Sequence, residues 1–499
     1  MSYLSSVSAN KMRIDLFKKL QVISVRFFDQ STDGDILSMF TNDIDNISNM
    51  MNQAIDQILS SLFLIIIISF AMLNVQPALG GVVLGLGIIM GIIMLISGIK
   101  SLKYVKGQQQ TLGELNSNID EKINGMSIII TNGIQRETIE SFQPYNEKYR
   151  DLSIIGKTYS GMLAPVIQGF SLIVISVVIF FGVQMVVRNT IPVGILIVFV
   201  QYAALFFQPF QQIATHFNMV QLAVSGAERV KKVMKENEDI VDHKGSVNYK
   251  KLSKGIMFNN LYFSYEKEEQ LLKNIKFEVE ANKMLAIVGP TGGGKTTIMK
   301  LLNKFYAVDN NMIFFDDLDI NNISVTSLRK NIGIVLQENV IFTGTIKENI
   351  IFGKMDATEE EMIRVAKKVN IHDYIMTLEQ KYDTMADNLC SILSAGQKQL
   401  ISIARTLLVD PDILILDEAT SNVDTVTESN IKKSMDVIVK ERTSLVIAHR
   451  LKTILQADKI IVLDSGEVVQ CGTHVELLKE DGLYSELYYN QFASERVCN

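Results

Sequence analysis

The chain has 499 residues, enough for two or three domains, and 47% of them are hydrophobic, giving a mean hydropathy of +0.20 that is high for a wholly soluble protein. A formal net charge of −6 argues against a general nucleic-acid-binding protein, whose electrostatic footprint is basic. The three cysteines, Cys390, Cys471 and Cys498, show no ligand-type spacing; they read as reduced thiols in a cytosolic compartment and argue against a disulfide framework.

The opening stretch, MSYLSSVSANKMRIDLFKKL, has no unbroken apolar core and does not read as a secretory signal. Between Asp56 and Lys100 no residue is charged, and NVQP (Asn74–Pro77) supplies a turn inside the gap. Two apolar runs result, at 57–75 and 78–99, and a second pair follows at 161–187 and 193–215 around the turn RNTIP. Each run can cross a hydrocarbon core of about 30 Å as a helix rising about 1.5 Å per residue. Buried helices of a large soluble domain are the competing reading, which the arrival of the runs as two close pairs disfavours. Lys11, Arg13, Lys18, Lys19 and Arg26 precede the first pair, Lys100, Lys103 and Lys106 follow it, and the short connectors carry only Arg188. The positive-inside bias therefore puts the amino terminus, 100–160 and everything beyond about 216 in the cytoplasm. No acidic or basic side chain lies within the spans, so a proton relay is not indicated. Gln168, Gln184 and Gln201 are the main polar groups there and are expected to bond between helices.

Residues 100–160 read as long helix, with apolar positions at Leu112, Leu115, Ile119 and Ile123. The charged stretch AERVKKVMKENEDIVDHKGSVNYKK looks like a join, after which short apolar strands alternate with helices. The predicted organisation is an all-α transmembrane domain at 1–232, a linker at 233–249 and an α/β P-loop domain at 250–499.

GPTGGGKTT (Gly289, Pro290, Thr291, Gly292, Gly293, Gly294, Lys295, Thr296, Thr297) satisfies G-x-x-x-x-G-K-[ST] between the strand MLAIV and the helix TIMKLLNKF. Its glycines let backbone N–H groups face phosphates, Lys295 reaches the β and γ phosphates, and the Thr296 hydroxyl is a Mg²⁺ ligand. DILILDEAT is an apolar strand ending in Asp417, the candidate Mg²⁺-organising carboxylate, and Glu418, the candidate general base for the attacking water. An exposed acidic pair beginning a turn is the plainer alternative. Ser394–Gln397 opens a helix, and such a start presents N–H groups suited to an anion.

The run LSAGQ (Leu393–Gln397), followed by a helix and then DILILDEAT, resembles the signature of ATP-binding-cassette proteins. The family's other motifs occur in order. Tyr265 matches the aromatic that stacks on adenine, and Gln337 the Q-loop glutamine at the metal site. Asp424 matches the D-loop aspartate and His449 the switch histidine near the γ-phosphate. The resemblance implies that Ser394, Ala395, Gly396 and Gln397 complete the ATP site of an opposite subunit. Two cassettes would then close on two nucleotides and reopen after hydrolysis. LFKKLQVISVRFFDQSTDGDILSMFTNDIDNI and GELNSNIDEKINGMSIIITNGIQRETIESF look like the two cytoplasmic loops of bacterial multidrug- and lipid-type exporters, in which a short helix docks on the cassette. FFQPFQQIATHFNMVQLAVSGAERV resembles their last span. What this implies is an ATP-hydrolysing half-transporter in the plasma membrane, with ATP and Mg²⁺ as cofactors. It would work with a second subunit as homo- or heterodimer, meet lipid and a small apolar or amphipathic substrate, and bind no nucleic acid.

Two departures accompany the match. The family carries six spans and this chain shows four, starting where the second should descend; a truncated product, a misassigned start or a separate polypeptide supplying the pair are the explanations. Ahead of LSAGQ the family has an acidic, glycine-containing segment that contacts the docking helices, and here Thr384–Ile392 reads TMADNLCSI. A truncated or inactive partner, or a non-transporting cassette ATPase, is the alternative reading.

Overall fold

The computed structural model describes residues 2–240, 242, 245–266, 270–336, 340–387, 393–417, 438–439, 442–447 and 454–492. Two compact units emerge, Met1–Val22 with Ser31–Glu236, and Ile23–Gln30 with Asn237–Asn499.

The first unit is helical. Helix α1 (Ser2–Leu20) leads to α2 (Val25–Gln30), which belongs to the second unit, and then to α3 (Asp33–Ser38). Thr32 caps α3 by accepting the Asp35 N–H, with Asp33 and Asp35 in the first turn where the helix dipole favours negative charge. From there α4 (Ile44–Asn49) and α5 (Ile55–Val75) continue the run through π-helical turns at Met39–Asp43 and Met50–Ala54. The predicted NVQP turn is an extended Gln76 (φ −154°, ψ 99°) followed by Pro77 at the first turn of α6 (Pro77–Asn124). Proline suits that position because its missing N–H would be unpaired there anyway. Then come α7 (Met126–Asn132), α8 (Gln135–Gly161), α9 (Leu163–Val187) and α10 (Val193–Lys235). Among the described residues, four helical stretches are long and apolar enough to cross a membrane: Asp33–Val75, Pro77–Lys100, Gln135–Val187 and Val193–Lys235. Each extends beyond the hydrocarbon-length run in at least one direction except Pro77–Lys100, whose helix α6 itself continues to Asn124.

Close helix approach sets this unit's packing. Gly87, Gly91 and Gly98 of α6 lie under Phe206, Phe210 and Phe217 of α10, and the spacing is the same on both helices. Parallel helices in register produce such a ladder, because small residues let a neighbouring ring seat against the backbone. The side-chain bond between spans falls elsewhere than predicted. Gln168, Gln184 and Gln201 are exposed in the single chain, whereas Gln212 of α10 accepts from Ser61 Oγ (3.0 Å) and from Gln57 Nε2 of α5. Composition locates glutamines along a helix; only the meeting of helix faces decides which of them find partners. Near the carboxyl end of α10, Arg229 makes a two-pronged pair with the buried Asp43 carboxylate, and Gly226 admits the Asp43 backbone.

The second unit is α/β. Strands β1 (Gly255–Phe263) and β2 (Leu272–Glu280) pair antiparallel; β3 (Met284–Val288) and α11 (Lys295–Leu302) follow. Next are β4 (Ile313–Phe315), β5 (Leu318–Asp319), α12 (Val325–Asn331) and β6 (Ile332–Val335). A short pair, β7 (Gly344–Thr345) and β8 (Met385–Ala386), brackets α13 (Ile346–Ile351), α14 (Glu359–Lys368) and α15 (His372–Thr377). Finally come α16 (Ala395–Leu408), β9 (Ile413–Asp417), β10 (Thr443–Ile447), β11 (Lys459–Asp464) and β12 (Glu467–Gly472). One sheet has the order β2-β1-β4-β5 and the other β12-β11-β3-β10-β9-β6, in which all neighbours but β11 and β12 run parallel.

Both faces of the larger sheet are covered, which explains its unbroken apolar strands. Ile413 and Ile415 pack with Leu285, Ile287 and the smaller sheet's Phe258 and Phe315, while Leu414 and Leu416 pack with Ile401, Ile403 and Ala404 of α16. The smaller sheet is tied down by Asp316, whose carboxylate accepts N–H groups from Ser253, Lys254 and Gly255.

The α6–α10 ladder gives an expected outcome. A Cβ on Gly87 would lie 2.5 Å from Cε1 of Phe206, whose ring is buried against Phe207 and Phe210, whereas a Cβ on Gly91 meets the Phe210 ring at 4.0 Å. Gly87→Ala should cost about 1–3 kcal/mol as overpacking and lower the melting midpoint in detergent, with Gly91→Ala close to neutral. Equal midpoints for the two variants would remove the notch at Gly87 from the account.

Candidate functional site

The β3-to-α11 connection is the Gly289–Thr297 loop, and its backbone is shaped by what lies against it. Gly289 (φ 149°) sits so close to β11 that a Cβ would come within 2.0 Å of the Leu463 carbonyl oxygen. Gly294 (φ 95°) precedes α11, and a Cβ there would meet Leu272 at 2.5 Å. Gly292 (φ 85°) has open space around it, so it supplies conformation and not clearance. Exposed Pro290, Thr291 and Gly292 form the rim, and Gly293 is buried beneath them.

Lys295 is 6% exposed, and its ammonium donates to the carbonyls of Gly289 and Pro290, both at 2.8 Å. Burial pushes its pKa below the ordinary lysine value, and the Asp417 carboxylate opposes that shift. The two threonines that follow diverge. Thr296 is exposed, whereas Thr297 is buried with its Oγ1 3.2 Å from the Tyr265 hydroxyl. Tyr265 lies just beyond β1, edge-on to Phe263 (5.0 Å between centroids) and Tyr306 (4.9 Å).

Sheet register brings the other candidates to the same border. Ile447 of β10 pairs with both Ile287 of β3 and Asp417 of β9, and Val335 of β6 pairs with Leu416. The carboxyl ends of β3, β10, β9 and β6 therefore line up. Chain order reverses between β3, whose next parallel strand in sequence is β6 at the far edge, and β10, and ligands of open α/β sheets bind at such a switch point. Asp417 ends β9, partly buried, at this border. Gln337, Glu418, Asp424 and His449 lie outside the described residues, as do residues 388–392 of the Thr384–Ile392 segment.

Ser394 and Gln397 face a different task. Ser394 caps α16 by accepting the Gln397 N–H (3.3 Å), and Gln397 Oε1 accepts the Ser394 N–H (2.8 Å). This reciprocal box fixes the helix start, leaving Ser394 and Ala395 exposed and Gly396 buried. The structure thus joins the loop, Tyr265 and Asp417 into one site and keeps the Ser394–Gln397 bonds local. Leu463 escaped the sequence reading because it acts through its main-chain carbonyl, for which no side-chain signal exists.

A glycine loop that side chains would fill, a buried lysine and a carboxylate at the end of β9, two places along the sheet from β3, define a P-loop nucleotide-binding ATPase, here on one chain with a multi-span helical unit. Comparison with known proteins agrees. Residues 1–210 match the ABC transporter transmembrane region, and residues 272–421 match the ABC transporter family. An uncharacterized ABC transporter ATP-binding protein of Bacillus subtilis (strain 168), YfiC, is 38% identical over 98% of this chain and 81% of its own. An ATP-dependent lipid A-core flippase of Syntrophus aciditrophicus (strain SB) is 32% identical, covering 100% of this chain and 82% of its own. A solved bacterial Atm1-family ABC exporter with ATP bound superposes with a TM-score of 0.81 at 26% identity, over 98% of this chain and 86% of that one. The chain belongs to the ABC transporter family, as a half-transporter of the exporter type: a multi-pass membrane protein whose ATPase activity is coupled to transport.

The Gly289 contact predicts a sharp effect. Gly289→Ala pushes a methyl group into the Leu463 backbone, which cannot swing aside, so the loop must leave its course. ATP affinity measured by titration calorimetry should fall by about tenfold or more, about 1.4 kcal/mol. Wild-type affinity in this variant would show that the close approach does not shape the nucleotide site.

Proposed function

We propose that this chain is one half of a dimeric exporter that uses ATP to move small apolar or amphipathic molecules outward across the plasma membrane. What carries the reading is the pairing on one chain of uncharged spans with a P-loop site. In this reading residues 1–232 form the membrane domain, 233–249 the linker and 250–499 the cassette. The amino terminus and cassette are cytoplasmic, on the support of the lysine and arginine bias around the spans. A second half-transporter, identical or not, completes the assembly, in keeping with the half-transporter match.

The residues divide the work by chemistry. Backbone N–H groups of Gly289–Thr297 and the Lys295 ammonium meet the phosphates, and Tyr265 stacks on the base. Thr296, Asp417 and Gln337 hold Mg²⁺, which supplies charge neutralisation at the phosphate oxygens. The exposed Thr296 hydroxyl after β3 and Asp417 at the aligned end of β9 suit that role. Glu418 takes the proton of the attacking water, and His449 meets the γ-phosphate. Ser394, Ala395, Gly396 and Gln397, with Asp424, serve the partner's nucleotide; the exposed start of a 14-residue helix supports this assignment.

The spans support an apolar or amphipathic cargo, since they offer no buried charge to bind an ion. A relative whose name assigns it a lipid A-core agrees in kind with such a cargo. Reconstitution into vesicles tests both halves of the proposal. ATP should drive movement of an amphipathic dye or a labelled lipid, and Glu418→Gln should cut hydrolysis by about 10²-fold or more while ATP still binds. Unchanged turnover in Glu418→Gln removes that residue from its role; turnover without any ATP-driven movement of either probe removes the cargo class.

A further inference from the structure

Helix α2 (Val25–Gln30) makes contacts that the nucleotide site as described above does not use. Just before it, Ile23 forms a bridge with Glu238 of the same unit, and two of its side chains, Arg26 and Asp29, meet Tyr265 and its neighbours. Arg26 Nη2 donates to the Tyr265 carbonyl oxygen at 3.3 Å. Asp29 Oδ2 accepts from Lys300 Nζ at 2.8 Å and from the Tyr306 hydroxyl.

Both of the groups that Asp29 holds face the Tyr265 ring. Tyr306 is edge-on to it at 4.9 Å, and the Lys300 ammonium lies 5.8 Å from its centroid and 5.9 Å from that of Tyr306. A cation at that distance is attracted by the face of an aromatic ring. The tyrosine is thus held at its carbonyl by Arg26, at its hydroxyl by Thr297, and at its ring by two side chains that share one carboxylate. Burial pushes the Asp29 carboxyl up, but the bonds from Lys300 and Tyr306 outweigh it and hold the group below its usual range, so the clamp stays charged at neutral pH.

We propose that Asp29, assisted by Arg26, is a positioning residue for the base-binding tyrosine: the seating of α2 sets the Tyr265 ring and thereby the affinity for the base end of the nucleotide, leaving the phosphate end alone. The proposal rests on the reading of Tyr265 as the base-stacking aromatic. Two features set it apart from simple docking. Asp29 touches neither the P-loop glycines nor Lys295 in the described contacts, and its two partners converge on a single ring.

The test separates base from phosphate. Binding of ATP and of inorganic tripolyphosphate is measured on the purified full chain in detergent for wild type, Asp29→Asn, Tyr306→Phe and Tyr265→Ala. Asp29→Asn should weaken ATP about tenfold and leave tripolyphosphate unchanged, with Tyr306→Phe showing a smaller loss of the same kind. Wild-type ATP affinity in Asp29→Asn, or equal weakening of both ligands, overturns the proposal, the latter by showing a general loosening of the cassette. Tyr306→Phe removes one hydroxyl and decides the matter by the same two criteria if Asp29→Asn does not fold. Should Tyr265→Ala leave the ratio of the two affinities unchanged, the base-stacking reading itself fails. Should it change the ratio while Asp29→Asn does not, only the role of α2 is lost.

Discussion

The approach of the Leu463 carbonyl to the backbone of Gly289 is the contact on which the nucleotide site depends. It exists because β11 and β3 are parallel neighbours in register, Val462 beside Val288, so that the chain leaving β3 must pass over the end of β11 with no room for a side chain. The loop's course follows from that restriction. So does the burial of Lys295, which begins α11 immediately after the turn and donates to the loop's own carbonyls at Gly289 and Pro290. Parallel pairing across β3, β10, β9 and β6 then carries Asp417 to the same border. An antiparallel partner at any of these places would send its carboxyl end to the opposite side of the sheet.

The two units solve the burial problem in different solvents. In the second, both faces of the sheet are covered and the strands are apolar without alternation, as β9 shows with Ile413 and Ile415 on one side and Leu414 and Leu416 on the other. In the first, the outward faces are as apolar as the inward ones: Phe63, Ile66, Phe70, Leu95 and Phe180 are exposed, while Met72, Met90, Val174 and Phe207 are buried. Hydrophobicity cannot sort such helices against one another when lipid is the alternative solvent. Shape does so instead, through glycines beneath phenylalanine rings, and a small polar knot of Gln57, Ser61 and Gln212 adds a directional bond.

Local residue chemistry and tertiary pairing contribute unequally to the site. The loop from Gly289 to Thr297, the strand ending at Asp417 and the helix start at Ser394 are all readable locally, because glycine spacing, an apolar run ending in acid and a capping pattern act over a few residues. Tyr265 is readable only through resemblance, since a lone aromatic after a strand has many uses. Its surroundings are not readable at the level of side chains. Arg26 and Asp29 lie far from it in sequence, in a segment that resembles a docking loop without marking which of its residues meet the tyrosine, and Tyr306 follows a helix of ordinary composition. In the membrane unit the positions of the spans were legible from uninterrupted apolar runs, but the choice of Gln212 over Gln168, Gln184 or Gln201 as the bonded glutamine was not.

The sequence by itself determined the division into a lipid-facing helical part and a P-loop part, and the chemical types gathered at the nucleotide, since these depend on hydrophobic run length and on spacings within single turns. Only the tertiary structure decided that a carbonyl of β11 shapes the loop, that one carboxylate of α2 gathers two neighbours of Tyr265, and which helix faces meet in the membrane part. Those outcomes depend on the register and approach of segments distant along the chain, and they act through backbone atoms and ring faces that leave no mark on composition.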